Sequence, residues 1–105
     1  MSVIPPADCQ SMEQVRAEID RLDAAILDLV AERFGYVDRA WQLKTSREDA
    51  VVPWRIQQVI DRVRTRAAER GVPPELAEAL WRQMIGWFIQ YEEEKLSNPP
   101  GGPQK

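Results

Sequence analysis

Charged side chains that interrupt apolar stripes are the residues of this 105-residue chain best placed to do chemistry. Set Ile26 at the origin of a helical wheel turning about 100° per residue, and Val15, Ile19 and Val37 fall within about 20° of it. Arg33, at about −20°, and Lys44, at about 0°, share that sector, roughly 16 Å apart along the axis. Arg16 lies at about +80°, on the edge of the same face. On a later segment, with Ile85 as origin, Glu92 falls at about −20°, between Phe88 and Ile89 on one side and Leu96 on the other. Arg55 lies about 40° from Val59, again on an inward side. Burying an uncompensated charge is costly, and a single acid neutralises one cation at most. The surplus positive charge calls for water or an anion. Aliphatic walls lined by Arg and Lys suit a small organic anion with more than one carboxylate: Arg grips a planar carboxylate in bidentate fashion, and Lys adds a movable point charge. Bland alternatives stand beside this: Arg16 snorkelling, Lys44 reaching solvent near a helix end, Arg33 and Glu92 as a structural ion pair.

Composition narrows the chemistry further. There is no histidine, so the commonest general base and the commonest zinc ligand are both missing. One cysteine, Cys9, excludes an internal disulfide and a multi-thiolate metal site. A Ser-His-Asp triad, a Cys-His dyad and a zinc hydrolase are thereby ruled out, and no cofactor is implied. Fourteen Lys and Arg against seventeen Asp and Glu give a formal charge of −3, which argues against a nucleic-acid binder. The opening residues lack the pattern of a signal peptide, and no run approaches the roughly 20 apolar residues of a membrane span. The expected compartment is the cytoplasm, with no membrane partner.

The elements that must position these charges are helices. At this length the chain is expected to form one domain. Ser11-Met12-Glu13-Gln14 fits a capping box, and apolar residues then recur in steps of three and four through Val15, Ile19, Leu22, Ile26, Leu29, Val30, Val37 and Trp41. This predicts a first helix over about 12–45, roughly 50 Å long. Pro53 opens a second, to about residue 70, which Gly71 ends; Pro74 opens a third, to about residue 96. Val51-Val52 reads as loop packing, the aromatic residues Trp41, Trp54, Trp81, Trp87, Phe34 and Phe88 as core and dimer contacts, and Arg62 to Arg66 as a solvated face. Residues 1–10 form an N-terminal extension, 11–96 the helical domain, and 97–105, rich in Pro and Gly, a disordered tail. The class is all-α: three helices, the long first one outrunning any body its own chain could build. A second copy of the chain is the simplest cover for it, so an intertwined helical homodimer is expected.

The segment Val15-Arg16-Ala17-Glu18-Ile19-Asp20-Arg21-Leu22-Asp23, followed by Leu29-Val30-Ala31-Glu32-Arg33 and then Lys44, resembles the all-helical chorismate mutase family over nearly all of residues 8–96. Within it the Asp8-Cys9 start, the Tyr36-Val37 pair and the loop length between Lys44 and Arg55 look closest to the isochorismate pyruvate lyase branch, which makes salicylate. The resemblance implies two equivalent sites in a dimer, a dicarboxylate substrate (chorismate or isochorismate), and a pericyclic reaction without nucleophile or metal. It implies that Arg16 reaches across from one protomer to a substrate carboxylate in the other's site, and that Arg33 holds a second carboxylate. Lys44 bridges a carboxylate and the ether oxygen, Arg55 completes the positive wall, and Glu92 flanks the ether oxygen. Glu92 stands where several bacterial mutases and the lyase branch have Gln and some other mutases Glu, which counts against the lyase. Ile56 stands where some mutases have a Glu that contacts the substrate hydroxyl, which counts against the mutase.

Chorismate to prephenate is the leading reaction, with pyruvate loss from isochorismate as runner-up. The rival of another class is a non-catalytic helical dimer that binds an aromatic precursor or a protein. An RNA-binding bundle is disfavoured by the net negative charge.

Overall fold

A computed structural model of the chain describes residues 2–43 and 52–97. Its elements are a short 3-10 turn at Pro6–Asp8 and three α-helices: α1 (Met12–Leu43), α2 (Pro53–Glu69) and α3 (Pro74–Ser97). Among the described residues there is no strand, so the all-α class holds. Lys44, the Val51 half of the Val51-Val52 pair, and residues 98–105 lie outside the described residues. Ser97, expected to begin the disordered tail, is instead the last residue of α3, one residue beyond the expected end. The 3-10 turn has no counterpart in the sequence reading.

The helix ends follow local chemistry. Ser11 Oγ accepts a hydrogen bond from the Gln14 amide at 3.2 Å. Gln14 Oε1 reaches back to the amide of Gln10 at 2.7 Å, one residue beyond the usual capping-box partner. Pro53 fills the first turn of α2, where its missing N–H is no loss. At the other end the Val72 amide donates to the Ala67 carbonyl at 2.8 Å and the Gly71 amide to Ala68 at 3.3 Å. That is a Schellman closure, and it requires the φ of +76° that Gly71 supplies.

The residues form two compact units, Met1–Tyr36 and Val37–Lys105, with α1 contributing to both. In the first, the chain before α1 is tied down through Glu18, whose carboxylate accepts from the Ile4 amide at 3.2 Å and from Arg21 Nε at 2.8 Å. The Arg21 hydrogen bond, then that from Ile4, holds the Glu18 carboxyl below its ordinary range. No residue of α1 is buried, although the helix is 32 residues long. Ile19, Leu22, Ile26 and Leu29, expected to lie in a buried stripe, are all exposed in the isolated chain. The periodicity is there, but one chain does not cover it.

In the second unit α2 packs on α3. Ile60 is 1% exposed, and Ala67, Ala77 and Phe88 complete the apolar core with it. In the run Arg62 to Arg66 all but half-buried Val63 are exposed, as expected of a solvated face, yet Arg64 also links the pair. Glu78 of α3 accepts from Arg64 of α2 at 2.8 Å and from Arg82 at 2.7 Å, which lowers its pKa. Such surface pairs add little stability. Of the aromatic residues assigned to packing, Phe88 is buried, Phe34, Trp41 and Trp81 are half-buried, and Trp54 and Trp87 are exposed.

Candidate active site

Glu92 is the residue that most departs from ordinary packing. It is 7% exposed, the one buried charged side chain among the described residues, and it lies a turn beyond buried Phe88 on the inward face of α3. The wheel angle anticipates this: four residues on from Phe88, a helix brings the side chain back to the same face.

Next to Glu92 is a polar cluster that the sequence does not announce. Tyr91 Oη donates to Asp38 Oδ1 at 2.6 Å, across 53 residues of chain. Trp41 Nε1 donates to the same oxygen at 2.7 Å, from one turn further along α1. The hydrogen bond from Tyr91, then that from Trp41, lowers the Asp38 pKa; partial burial opposes them, and the Lys95 charge adds to them. The same bond raises the pKa of Tyr91, with burial and the Asp38 charge adding to it. The Tyr91 ring stacks on Trp87, with centroids 5.5 Å apart and planes 13° from parallel. It meets Phe88 edge-on at 6.4 Å and carries Lys95 Nζ 5.4 Å from its centroid. The Asp38–Trp41, Phe88–Tyr91, Trp87–Tyr91 and Tyr91–Lys95 spacings, three or four apart on one helical face, are signals that could have been read locally; the Asp38–Tyr91 bond is not.

The cations expected to line a site are placed as follows. Arg33 is half-buried, with its Nη1 atom out of contact with solvent. Arg16 is exposed on α1. Arg55, expected on the inward side of α2, is exposed instead: its guanidinium runs along its own helix to Gln58 Oε1 at 2.6 Å, a short reach available at a first turn. Lys44 lies outside the described residues. Arg16 and Arg33 belong to the first unit, Arg55 and Glu92 to the second. A shallow depression of about 550 Å³ on α3 is lined by Ala79, Arg82, Gln83, Gly86, Trp87 and Gln90. Another, of about 320 Å³, runs along α2 beside Asp61, Arg62, Thr65, Arg66 and Glu69. Neither includes any of the expected site residues. Among the described residues no group of three or more metal-ligating side chains could hold a metal ion, and no described helix is long and apolar enough to cross a membrane.

Three helices, with an acid buried on an inner face of α3 and with Arg16 and Arg33 along a long α1, define a class. The family model described as chorismate mutase type II matches residues 15–93, and the chain belongs to that family. The matched span contains Arg16, Arg33, Lys44, Arg55 and Glu92. Among individual proteins, the chain is similar to the isochorismate pyruvate lyase of Pseudomonas aeruginosa, 31% identical over 84 residues that cover 80% of this chain and 83% of the relative. It is also similar to the 4-amino-4-deoxychorismate mutase of Streptomyces pristinaespiralis, 28% identical over 95 residues covering 90% of this chain and 74% of that protein.

Proposed function

We propose that this protein is a pericyclic enzyme that converts chorismate to prephenate in a cationic pocket, working as a cytoplasmic homodimer. The observation that carries the reading is Glu92: a carboxyl group 7% exposed, on a helix face otherwise committed to apolar packing. A carboxyl group in such a place is a functional-site candidate, because its burial is costly unless something in the site uses it. In the concerted rearrangement the ether C–O bond stretches, a C–C bond forms, and the ether oxygen gains negative charge. No nucleophile or proton relay is required of the protein. Arg16, contributed by the second protomer, and Arg33 bind the two carboxylates and hold the dianion in its compact reactive shape. Lys44 and Glu92 flank the ether oxygen, Lys44 as a fixed cation and Glu92 as a hydrogen-bonding group. Each such donor contributes about 3 kcal/mol to the transition state. Arg55 extends the positive wall. The exposed stripe Ile19, Leu22, Ile26 and Leu29 is what the second protomer covers.

A second reading, loss of pyruvate from isochorismate by a related hydrogen transfer, is favoured by the 31% identity to the Pseudomonas aeruginosa lyase. Ile56 points the same way, since it has no polar group to offer a substrate hydroxyl. Incubating the pure protein separately with chorismate and isochorismate, and identifying products by chromatography, decides between them. Prephenate from chorismate supports the first reading. Salicylate and pyruvate, without prephenate, replace it with the second. Dicarboxylate binding with no turnover of either compound leaves a non-catalytic dimer.

A further inference from the structure

We propose that Tyr91, clamped by Asp38, is a positioning residue that sets the rotation of α3 and so aims Glu92. The proposal rests on the functional reading above, in which Glu92 meets the reacting ether oxygen. Its ground is geometric. One carboxylate oxygen of Asp38 takes hydrogen bonds from both Tyr91 Oη, at 2.6 Å, and Trp41 Nε1, at 2.7 Å. Asp38 and Trp41 belong to the last turns of α1, and Tyr91 to the later half of α3, so the oxygen ties two helices at one point. The Tyr91 ring cannot easily swing. Trp87 stacks on it at 5.5 Å, Phe88 abuts it edge-on, and Lys95 sits 5.4 Å from its centre.

Glu92 is the next residue, and an α-helix turns as a rigid body. Fixing the azimuth of Tyr91 therefore fixes that of Glu92, about 100° further round. With side chains extending about 5–6 Å from the axis, a helix rotation of roughly 10° moves the carboxyl by about 1 Å. A displacement of that size at a reacting centre costs up to about 100-fold in rate. Neither Asp38 nor Tyr91 needs to touch substrate for this effect.

The test is steady-state kinetics on whichever substrate the wild-type dimer turns over, with circular dichroism and Tm on every variant. Tyr91→Phe removes one hydroxyl and keeps the ring stack. Asp38→Ala removes the acceptor. Asp38→Asn keeps an oxygen for both donors. The expected result is a kcat at least tenfold lower in Tyr91→Phe and in Asp38→Ala, with KM within about threefold of wild type. The double variant Asp38→Ala/Tyr91→Phe is expected to be no worse than the poorer single variant, because both break one link. Asp38→Asn is expected to restore kcat to within about threefold of wild type. A merely structural role would lower Tm and leave kcat of the folded fraction alone. A folded Tyr91→Phe enzyme with wild-type kcat, or additive losses in the double variant, overturns the positioning role while the functional reading stands. A wild-type protein inert toward both chorismate and isochorismate overturns the functional reading, and this one with it.

Discussion

The uncovered stripe of α1 makes a quantitative prediction about self-association. Ile26 lies at its centre and is 55% exposed in the isolated chain. Burying an isoleucine side chain fully contributes about 1.5–3 kcal/mol, so covering the remaining half is worth about 1 kcal/mol. A symmetric pair contains the residue twice, which makes about 2 kcal/mol per dimer. Ile26→Ala is therefore expected to raise the dimer Kd roughly 30-fold. Ile26→Glu goes further, because it places a carboxylate on the seam itself and adds a desolvation cost. The assay is sedimentation velocity over a wide concentration range, paired with Tm at each concentration, since a dimer that unfolds as it dissociates has a concentration-dependent Tm. Asp28→Ala, an exposed position at least about 100° from every residue of the stripe, is the control and should change stability by less than about 0.5 kcal/mol. A wild-type protein that sediments as a monomer throughout, or Ile26 variants indistinguishable from it, would refute the reasoning.

Four further outcomes follow from the site and the fold. Lys44→Ala should abolish product formation while far-UV circular dichroism stays that of the wild type; retained turnover removes Lys44 from the reaction. Glu92→Gln keeps a hydrogen-bond donor at that position and should retain turnover, whereas Glu92→Ala should lower kcat roughly 100-fold; an Ala variant as active as the wild type ends that role. Gly71→Ala should cost about 1–2 kcal/mol in urea unfolding: a Cβ there meets nothing within 4 Å, so the loss is the backbone cost of φ +76° alone. The Asp38–Tyr91 link should give stability a two-sided pH dependence. The Asp38 pKa is lowered in the fold, so its contribution is complete above the ordinary carboxylate value and lost as pH falls through the folded one. The Tyr91 pKa is raised, so its contribution is complete below the ordinary phenol value and lost as pH rises through the folded one. Asp38→Asn should remove the acid-side loss in a Tm-against-pH series.

The parts of the fold that were legible are those whose causes sit within a few residues. Ser11 and Gln14, Pro53, Gly71 and Pro74 mark helix ends because a cap, a missing N–H or a positive φ acts on its immediate neighbours. Glu92 was legible for the same reason: period 3.6 and a neighbour four residues away are enough to predict an inward side chain. Arg55 shows the limit of a wheel. An angle says where Cβ points, while a long flexible side chain chooses its own partner, here Gln58. The tie of Ile4 to Glu18 and the bond of Tyr91 to Asp38 were invisible, because nothing local pairs positions 14 or 53 residues apart.

By itself, then, the order of residues determined that the described residues are all-helical, where α1 begins and where α2 and α3 begin and end, which family the chain belongs to, and that an acid points into the apolar side of α3. Those outcomes depend on backbone propensity and periodicity, which a linear string carries in full. The tertiary structure decided which groups share a hydrogen bond: that one oxygen of Asp38 holds both Tyr91 and Trp41, that Glu78 gathers Arg64 and Arg82, and that α1 keeps its apolar face uncovered in the single chain. A hydrogen bond demands two atoms within about 3 Å, and only packing brings distant parts of a chain that close.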